Sequence, residues 1–400
     1  MNWTLDEVKK AFAPCGRGLI TVTLNDKNYT KVCPSREGMF LFLLICNAIF
    51  FFRKIQHIIL AKLKNNKEKE KKKMSYADLV FKNMCQDILK NGTDTRGEKV
   101  RPHWPDSTAA YTIKKFGICN RYDLRKEFPA LTLRKTALKS AMDEILWIWQ
   151  KKSNNIKDLN SHIWDSWADK DGSIGKAYGY QLGKLYPYKD VTLDGLKKAF
   201  PDGEYVNDEF AGIDMFVAKN GDDVIRWYAM KTDGMWNMDQ VNKAIYDLRN
   251  TPFSRRIITS IYNFEDLTEM ALYPCAYSMT FNVTQDKDSD KLVLNAILNQ
   301  RSNDILAAGN WNVCQYALLV MMIAQVCDMI PGELVHMIAD AHIYDRHVDI
   351  IKELLTREPL PAPVVRLNPD VKKFYDFTTD DLIVENYQTH PQIKNIPVAI

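Results

Sequence analysis

Cys275 follows Pro274 at the head of an apolar, strand-like run from Ala276 to Val283. A rigid turn before a strand holds a thiol at a pocket edge. As a thiolate it is a carbon nucleophile, and a nearby guanidinium favours that form. Glu144 shares a helical face with Ala141, Trp147 and Ile148. A carboxylate desolvated there has a raised pKa and suits proton transfer. Taken alone, both have plainer readings: an inert buried cysteine, and a boundary glutamate paired with a base. His342 and His347 lack a third ligand at suitable spacing, so no metal is expected.

These groups need elements to hold them. The spacing of Leu79, Val80, Met84 and Ile88 predicts a helix over Tyr76–Leu89 that stops at Asn91-Gly92. A second helix is predicted over Lys135–Lys151, and a continuous apolar one over Asn312–Met329. Gln315, Gln325 and Asp328 interrupt the last, which favours a core helix over a membrane span. Tyr111–Phe116, Leu131–Leu133, Ile257–Tyr262, Ala276–Val283 and Lys291–Asn299 read as strands, and residues 93–109 as a loop. Residues 185–238 differ in texture, being rich in Asp, Gly, Tyr and Trp. An amphipathic patch at Leu193–Phe200 and strand-like Met215–Ala218 and Val224–Tyr228 suggest an insertion. Strands and helices in no regular order imply an α+β fold. No P-loop, dinucleotide fingerprint or internal repeat is present.

The chain of 400 residues carries 54 basic and 50 acidic side chains, a net charge of +4. The average hides a division. Residues 1–73 hold 15 basic against 6 acidic residues, or +9, and residues 74–400 hold 39 against 44, or −5. A nucleic-acid-binding role would therefore have to reside in the first segment. That segment has an uncharged apolar run at 39–52 and a Lys-rich run at 62–73. The apolar run is shorter than the roughly 18–20 residues of a membrane-spanning helix. Residues 1–73 are expected to be an extension outside the fold, with Met74 opening the folded part. The eight cysteines are scattered, with no Cys-x-x-Cys pair, which fits reduced thiols and a cytoplasmic location.

Four strings occur in one order: Ser254-Arg255-Arg256, Tyr273-Pro274-Cys275, Asn299-Gln300-Arg301-Ser302-Asn303-Asp304, and Asp340-Ala341-His342-Ile343-Tyr344. With Glu144 before them and Pro397-Val398-Ala399-Ile400 after, the chain from Met74 resembles the thymidylate synthase family. The resemblance implies a twisted mixed β-sheet covered by helices and a homodimer formed through the sheet. It implies reductive methylation of dUMP to dTMP, with 5,10-methylenetetrahydrofolate as one-carbon donor and reductant and with no metal. Cys275 would attack C6 of the pyrimidine. Asn312 would read the N3 and O4 edge, since one amide can donate to O4 while accepting from N3–H. Arg101, Arg301 and Ser302 would bind phosphate, joined by Arg255 and Arg256 from the opposite subunit; guanidinium forks suit a phosphate dianion. His342 and Tyr344 would bind the ribose. Asp304 would hold the pterin, Trp164 would line the folate pocket, and Ile400 would close over the ligands. Glu144 would organise proton transfers, and Tyr178 would assist proton removal from C5.

Three departures from the family pattern stand out. Ala308-Gly309-Asn310-Trp311-Asn312 replaces the usual Gly-x-Pro-Phe-Asn, Ala276 follows the nucleophile where His is common, and Arg134 stands where Lys is common. Two other readings compete. One is a pyrimidine nucleotide hydroxymethylase of the same family, its cytosine version disfavoured by Asn312. The other is a membrane-tethered or nucleic-acid-binding protein that uses the basic N-terminus. For residues 74–400 neither nucleic acid nor membrane is an expected partner.

Overall fold

The computed structural model describes residues 19–24, 27–32, 74–208 and 212–399. The extension expected at 1–73, with its apolar and Lys-rich runs, therefore falls mostly outside the described residues, as does Ile400. Within that segment, β1 (Leu19–Leu24) and β2 (Lys27–Val32) form an antiparallel hairpin.

In the larger unit the first helix, α1 (Tyr76–Asn91), starts at Ser75, whose hydroxyl caps the Asp78 N–H. Around it, among the described residues, six strands form one sheet in the order β10-β11-β12-β13-β4-β3. These are β3 (Thr93–Asp94), β4 (Thr112–Asp123), β10 (Ile258–Ser260), β11 (Ala276–Gln285), β12 (Leu292–Asp304) and β13 (Ile330–Tyr344). All neighbouring pairs are antiparallel except β12 and β13. A parallel pair needs a long crossover. Here it is the apolar helix α6 (Gly309–Val326), buried along most of its length and packed against both strands. Helix α2 (Leu138–Trp149) packs on α6, with every residue from Ala141 to Trp149 buried.

The other sheet face carries partly exposed apolar side chains. Ile258, Ile297 and Met337 are 57%, 38% and 37% exposed there, on β10, β12 and β13 with β11 between the first two.

Residues 186–238 build a separate sheet in the order β5-β9-β8-β7-β6. Its strands are β5 (Tyr186–Tyr188), β6 (Glu204–Asp208), β7 (Ile213–Asn220), β8 (Asp223–Thr232) and β9 (Met235–Met238). The predicted amphipathic patch is helix α4 (Leu193–Ala199), which follows the short α3 (Gly179–Gly183). Asp233 and Gly234, both at positive φ, make the tight β8–β9 turn. Helix α5 (Gln240–Asn250), helix α7 (Val348–Thr356) and a hairpin of β14 (Val364–Leu367) and β15 (Leu382–Glu385) complete the unit.

Two sequence-based expectations need correction. Leu131–Leu133 is not a strand, because side chains take up its backbone donors. Asn310 Oδ1 accepts from Leu131 N–H at 3.1 Å, and Asp78 Oδ1 accepts from Thr132 N–H at 2.9 Å. The strand expected at Tyr111–Phe116 runs on to Asp123, because β13, the longest strand and an unexpected one, offers a partner along its whole length.

Candidate active site

Strand pairing assembles the site. Because β12 and β13 run parallel, their C-terminal ends meet: Ser302 pairs with Asp340, and Asp304 with His342. On the other side β11 is antiparallel, with Ala276 opposite Gln300 and a register irregularity before Ser278. Arg301 N–H donates to the Cys275 carbonyl at 2.9 Å. Three strings remote in sequence thus converge.

Cys275 Sγ lies 3.8 Å from Arg301 Nη2. The same guanidinium clamps the turn before the thiol, with Nε donating to the Pro274 carbonyl at 3.0 Å and Nη2 to that of Tyr273 at 2.7 Å. Burial pushes the thiol's pKa up, and Arg301 offsets only part of that. The expectation of a guanidinium beside the thiol is met, but desolvation outweighs it.

Tyr178 is buried and hydrogen-bonds to the Cys275 backbone. It sits at φ 47 just before Gly179, where a Cβ would lie 2.3 Å from the Ser153 carbonyl oxygen. Only glycine lets the chain approach Lys152 and Ser153 so closely, and that approach aims Tyr178. Burial holds the phenol well above its ordinary value, so it stays protonated at neutral pH.

Among the described residues Glu144 has no base partner. Two indoles grip its carboxylate: Trp164 Nε1 donates to Oε1 at 2.9 Å, and Trp311 Nε1 to Oε2 at 2.6 Å. Burial pushes the Glu144 pKa up to about 7. The donors Trp311, Trp164 and Gln315 pull against that, and Asp143 adds to it. A carboxyl that titrates near neutrality can both give and take a proton. Trp164 also stacks edge-on against Tyr178 at 4.8 Å, so it is packed beneath Tyr178 and bonded to Glu144.

Asn312, in the first turn of α6, belongs to a directed chain of amides. Gln300 Oε1 accepts from His336 Nε2 at 2.6 Å and from Asn303 Nδ2 at 3.0 Å. Gln300 Nε2 donates to Asn312 Oδ1, and Asn312 Nδ2 to Gln315 Oε1, both at 3.0 Å. Burial pushes the His336 pKa down to about 3, so its ring is neutral and gives its one proton through Nε2. The Asn312 amide is thereby oriented with one lone pair and one N–H in reserve.

Asp340 Oδ1 lies 2.8 Å from His342 Nδ1, and the His342 ring meets Tyr344 edge-on at 5.0 Å. Burial pushes the Tyr344 pKa up to about 12, opposed by the charge of Arg101, which brings Arg101 to this end of the sheet. Asp304 Oδ1 accepts from the N–H groups of Leu306 and Ala307 at 3.0 and 3.1 Å and lies 3.4 Å from His347 Nδ1. Those three contacts all fall on Oδ1. Ser302 is half-buried beside Arg301.

Arg255 and Arg256 stand apart, exposed on the turn after α5. Among the described residues no group of three or more His, Cys, Asp or Glu is arranged around a metal position. No helix there is long and apolar enough to cross a membrane. Sequence reasoning missed Trp311, Gln300, Gln315, His336 and His347 as members of this arrangement. The signals available were Trp311 as a departure from pattern, Gln315 as a polar interruption of an apolar helix, and Gln300 beside Arg301 in its string.

Comparison with known proteins agrees with this geometry. The family model for thymidylate synthase matches residues 79–400. Thymidylate synthase 1 of Bacillus spizizenii is 37% identical over 319 residues, covering 79% of this chain and 96% of that protein. The thymidylate synthase of Bacillus phage phi3T shows the same identity and coverage. The solved structure of thermostable thymidylate synthase A from Bacillus subtilis superposes with a TM-score of 0.64 at 36% identity, covering 81% of this chain and 99% of that one. From the matched motifs, the site they build and these similarities together, the chain belongs to the thymidylate synthase family.

Proposed function

We propose that the protein catalyses the reductive methylation of dUMP to dTMP in the cytoplasm, as a homodimer. One observation carries the proposal: Cys275 Sγ beside the Arg301 guanidinium, within a site that also holds an oriented Asn312 and a Glu144 titrating near neutrality. Cys275 gives up its proton and its sulfur forms a bond to C6 of the pyrimidine, so that C5 becomes the carbon nucleophile as charge develops on O4. The C6–S bond breaks again once the C5 proton has left, freeing the thiolate. Asn312 donates to O4 and accepts from N3–H, and Glu144 supplies and withdraws protons around that edge. Methylenetetrahydrofolate, as co-substrate, supplies both the one-carbon unit and the hydride, leaving dihydrofolate.

Arg101, Arg301 and Ser302 hold the phosphate, with Arg255 and Arg256 of the partner subunit. Arg301 keeps Nη1 for this, because its other nitrogens hold the 273–275 turn. His342, oriented by Asp340, and Tyr344 bind the ribose. The protonated Tyr178 phenol relays the C5 proton rather than storing negative charge. Asp304 and Trp164 serve the folate, and Ile400 closes the site against water. The exposed apolar row of Ile258, Ile297 and Met337 supports dimerisation through the sheet. Residues 1–73 lie outside the catalytic fold, and the sheet at 186–238 is an insertion into it.

The test is spectroscopic detection of dihydrofolate from dUMP and methylenetetrahydrofolate, with product analysis. Wild type should form dTMP and dihydrofolate in equal amounts, and Cys275→Ser should lose at least about a thousandfold in rate. Hydroxymethyl-dUMP without dihydrofolate would overturn the proposal in favour of a hydroxymethylase.

A further inference from the structure

One fully buried histidine stands between the site and the C-terminal segment, and none of the steps above uses it. His347 ends the turn Asp345–His347 that leads into α7 and has no exposed surface. Its Nε2 lies 2.7 Å from the Pro397 carbonyl oxygen. A carbonyl only accepts, so Nε2 carries a proton. Its Nδ1 lies 3.4 Å from Asp304 Oδ1, an ion-pair contact longer than a tight hydrogen bond. Both ring nitrogens therefore face acceptors, and only the imidazolium can donate to both.

The ring cannot turn away. Trp104 and Tyr344 hold it edge-on, with centroids at 5.7 and 5.6 Å. Asp304 on β12 and Asp345 on its own turn are the carboxylates that face it, and Arg346 lies over the outer ring of Trp104. Burial disfavours the charged ring, but Asp304 and the Pro397 carbonyl outweigh burial and hold its pKa above the ordinary 6.5. The reciprocal effect keeps Asp304 below the usual carboxylate range despite its burial.

We propose that His347 is a positioning residue that ties the C-terminal segment to Asp304, so that seating the segment and orienting that carboxylate are one event. Pro397 is the anchor point, three residues before Ile400. A segment held at Pro397 delivers its last residues over the site, and the same ring steadies Asp304. This rests on the reading of Asp304 as a folate contact.

The experiment compares full-length wild type, His347→Ala and His347→Gln. It measures KM for dUMP and for methylenetetrahydrofolate, and carboxypeptidase release of C-terminal residues with dUMP plus a non-reactive folate analogue. Gln keeps one donor and should retain the link to Pro397. In His347→Ala the folate KM should rise about tenfold or more while the dUMP KM stays within about twofold. Ligands should slow C-terminal digestion of wild type and of His347→Gln, but not of His347→Ala. Equal folate KM and equal protection in wild type and His347→Ala would overturn the proposal. So would a parallel rise of both KM values with a lowered melting temperature, which marks a general packing role. Should His347→Ala not fold, His347→Gln decides: protection kept as in wild type supports the link to Pro397, and loss of protection with an unchanged folate KM refutes the coupling. A wild type that forms no dihydrofolate counts against the reaction itself, a result separable from any difference among variants.

Discussion

The meeting of β11, β12 and β13 and the β5–β9 meander are built by opposite kinds of pairing, and the difference explains where chemistry is found. In the meander β6 to β9 pair in sequence order through antiparallel turns, and only β5 reaches across to β9. Its charges are met locally by partners, as in Lys219–Glu204 and Lys231–Asp214, and Ile225 and Trp227 are 58% and 48% exposed. In the central sheet the parallel β12–β13 pair, closed through α6, joins half-buried Arg301, Asp304 and Tyr344 and buried His342 at its strand ends. Non-local pairing brings titratable groups from remote segments into a desolvated place, where pKa values move. A local meander leaves most of its ion pairs within reach of water, which screens them.

Glu144→Gln gives the largest expected effect. It removes the group that titrates near neutrality and should cut kcat by roughly a hundredfold or more. Because its folded-state pKa of about 7 lies above the ordinary 4.5, the folded protein binds this proton more tightly than the unfolded chain. Wild-type stability should therefore fall as pH rises from about 4.5 to about 7, by an order of 3 kcal/mol from this group. Denaturant unfolding across that range should show the slope in wild type and lose it in Glu144→Gln; an equal slope in both would remove the contrast between the regions.

Gln300→Leu strips partners from His336, Asn303 and Asn312 at once. It should cost about 1–3 kcal/mol in unfolding free energy and weaken discrimination between uracil and cytosine nucleotides. Retained stability and unchanged preference would mean that the amide chain does not orient Asn312. Trp311→Phe is milder. Losing that donor moves the Glu144 pKa upward, so the limb of the kcat–pH profile set by Glu144 should shift to higher pH. A profile that superposes on wild type would show that Trp311 does not act through Glu144. Smallest of all, Ile225→Thr on the meander should change stability by no more than about 0.5 kcal/mol and leave kcat and both KM values unchanged. A marked loss of activity there would show that the two sheets are not as separate in function as in construction.

Legibility in the sequence followed the same division. Helices α1, α2 and α6 could be read because their apolar spacing repeats over many turns. Strands β11 and β12 were found for their alternation, though β12 runs through Asp304 rather than stopping at Asn299. Leu131–Leu133 looked like a strand but gives its N–H groups to Asn310 and Asp78, partners 179 and 54 residues away along the chain. Cys275, Arg301, Asp304 and His342 were visible as strings of types in order. The indole grip on Glu144 and the His336–Gln300–Asn312 chain were not, since a buried Trp, His or Gln reads as core packing until its partner is known.

By itself the sequence determined the α+β class and the family and singled out Cys275 and the arginines as candidates, because residue type and order survive without coordinates. Tertiary structure alone decided which way the Asn312 amide faces and that Cys275 is pushed toward the thiol despite Arg301. It also decided that Glu144 titrates near 7 and that His347 joins Asp304 to the C-terminal segment. The reason is that burial and hydrogen-bond direction are properties of an environment assembled from remote parts of the chain, and no local pattern encodes them.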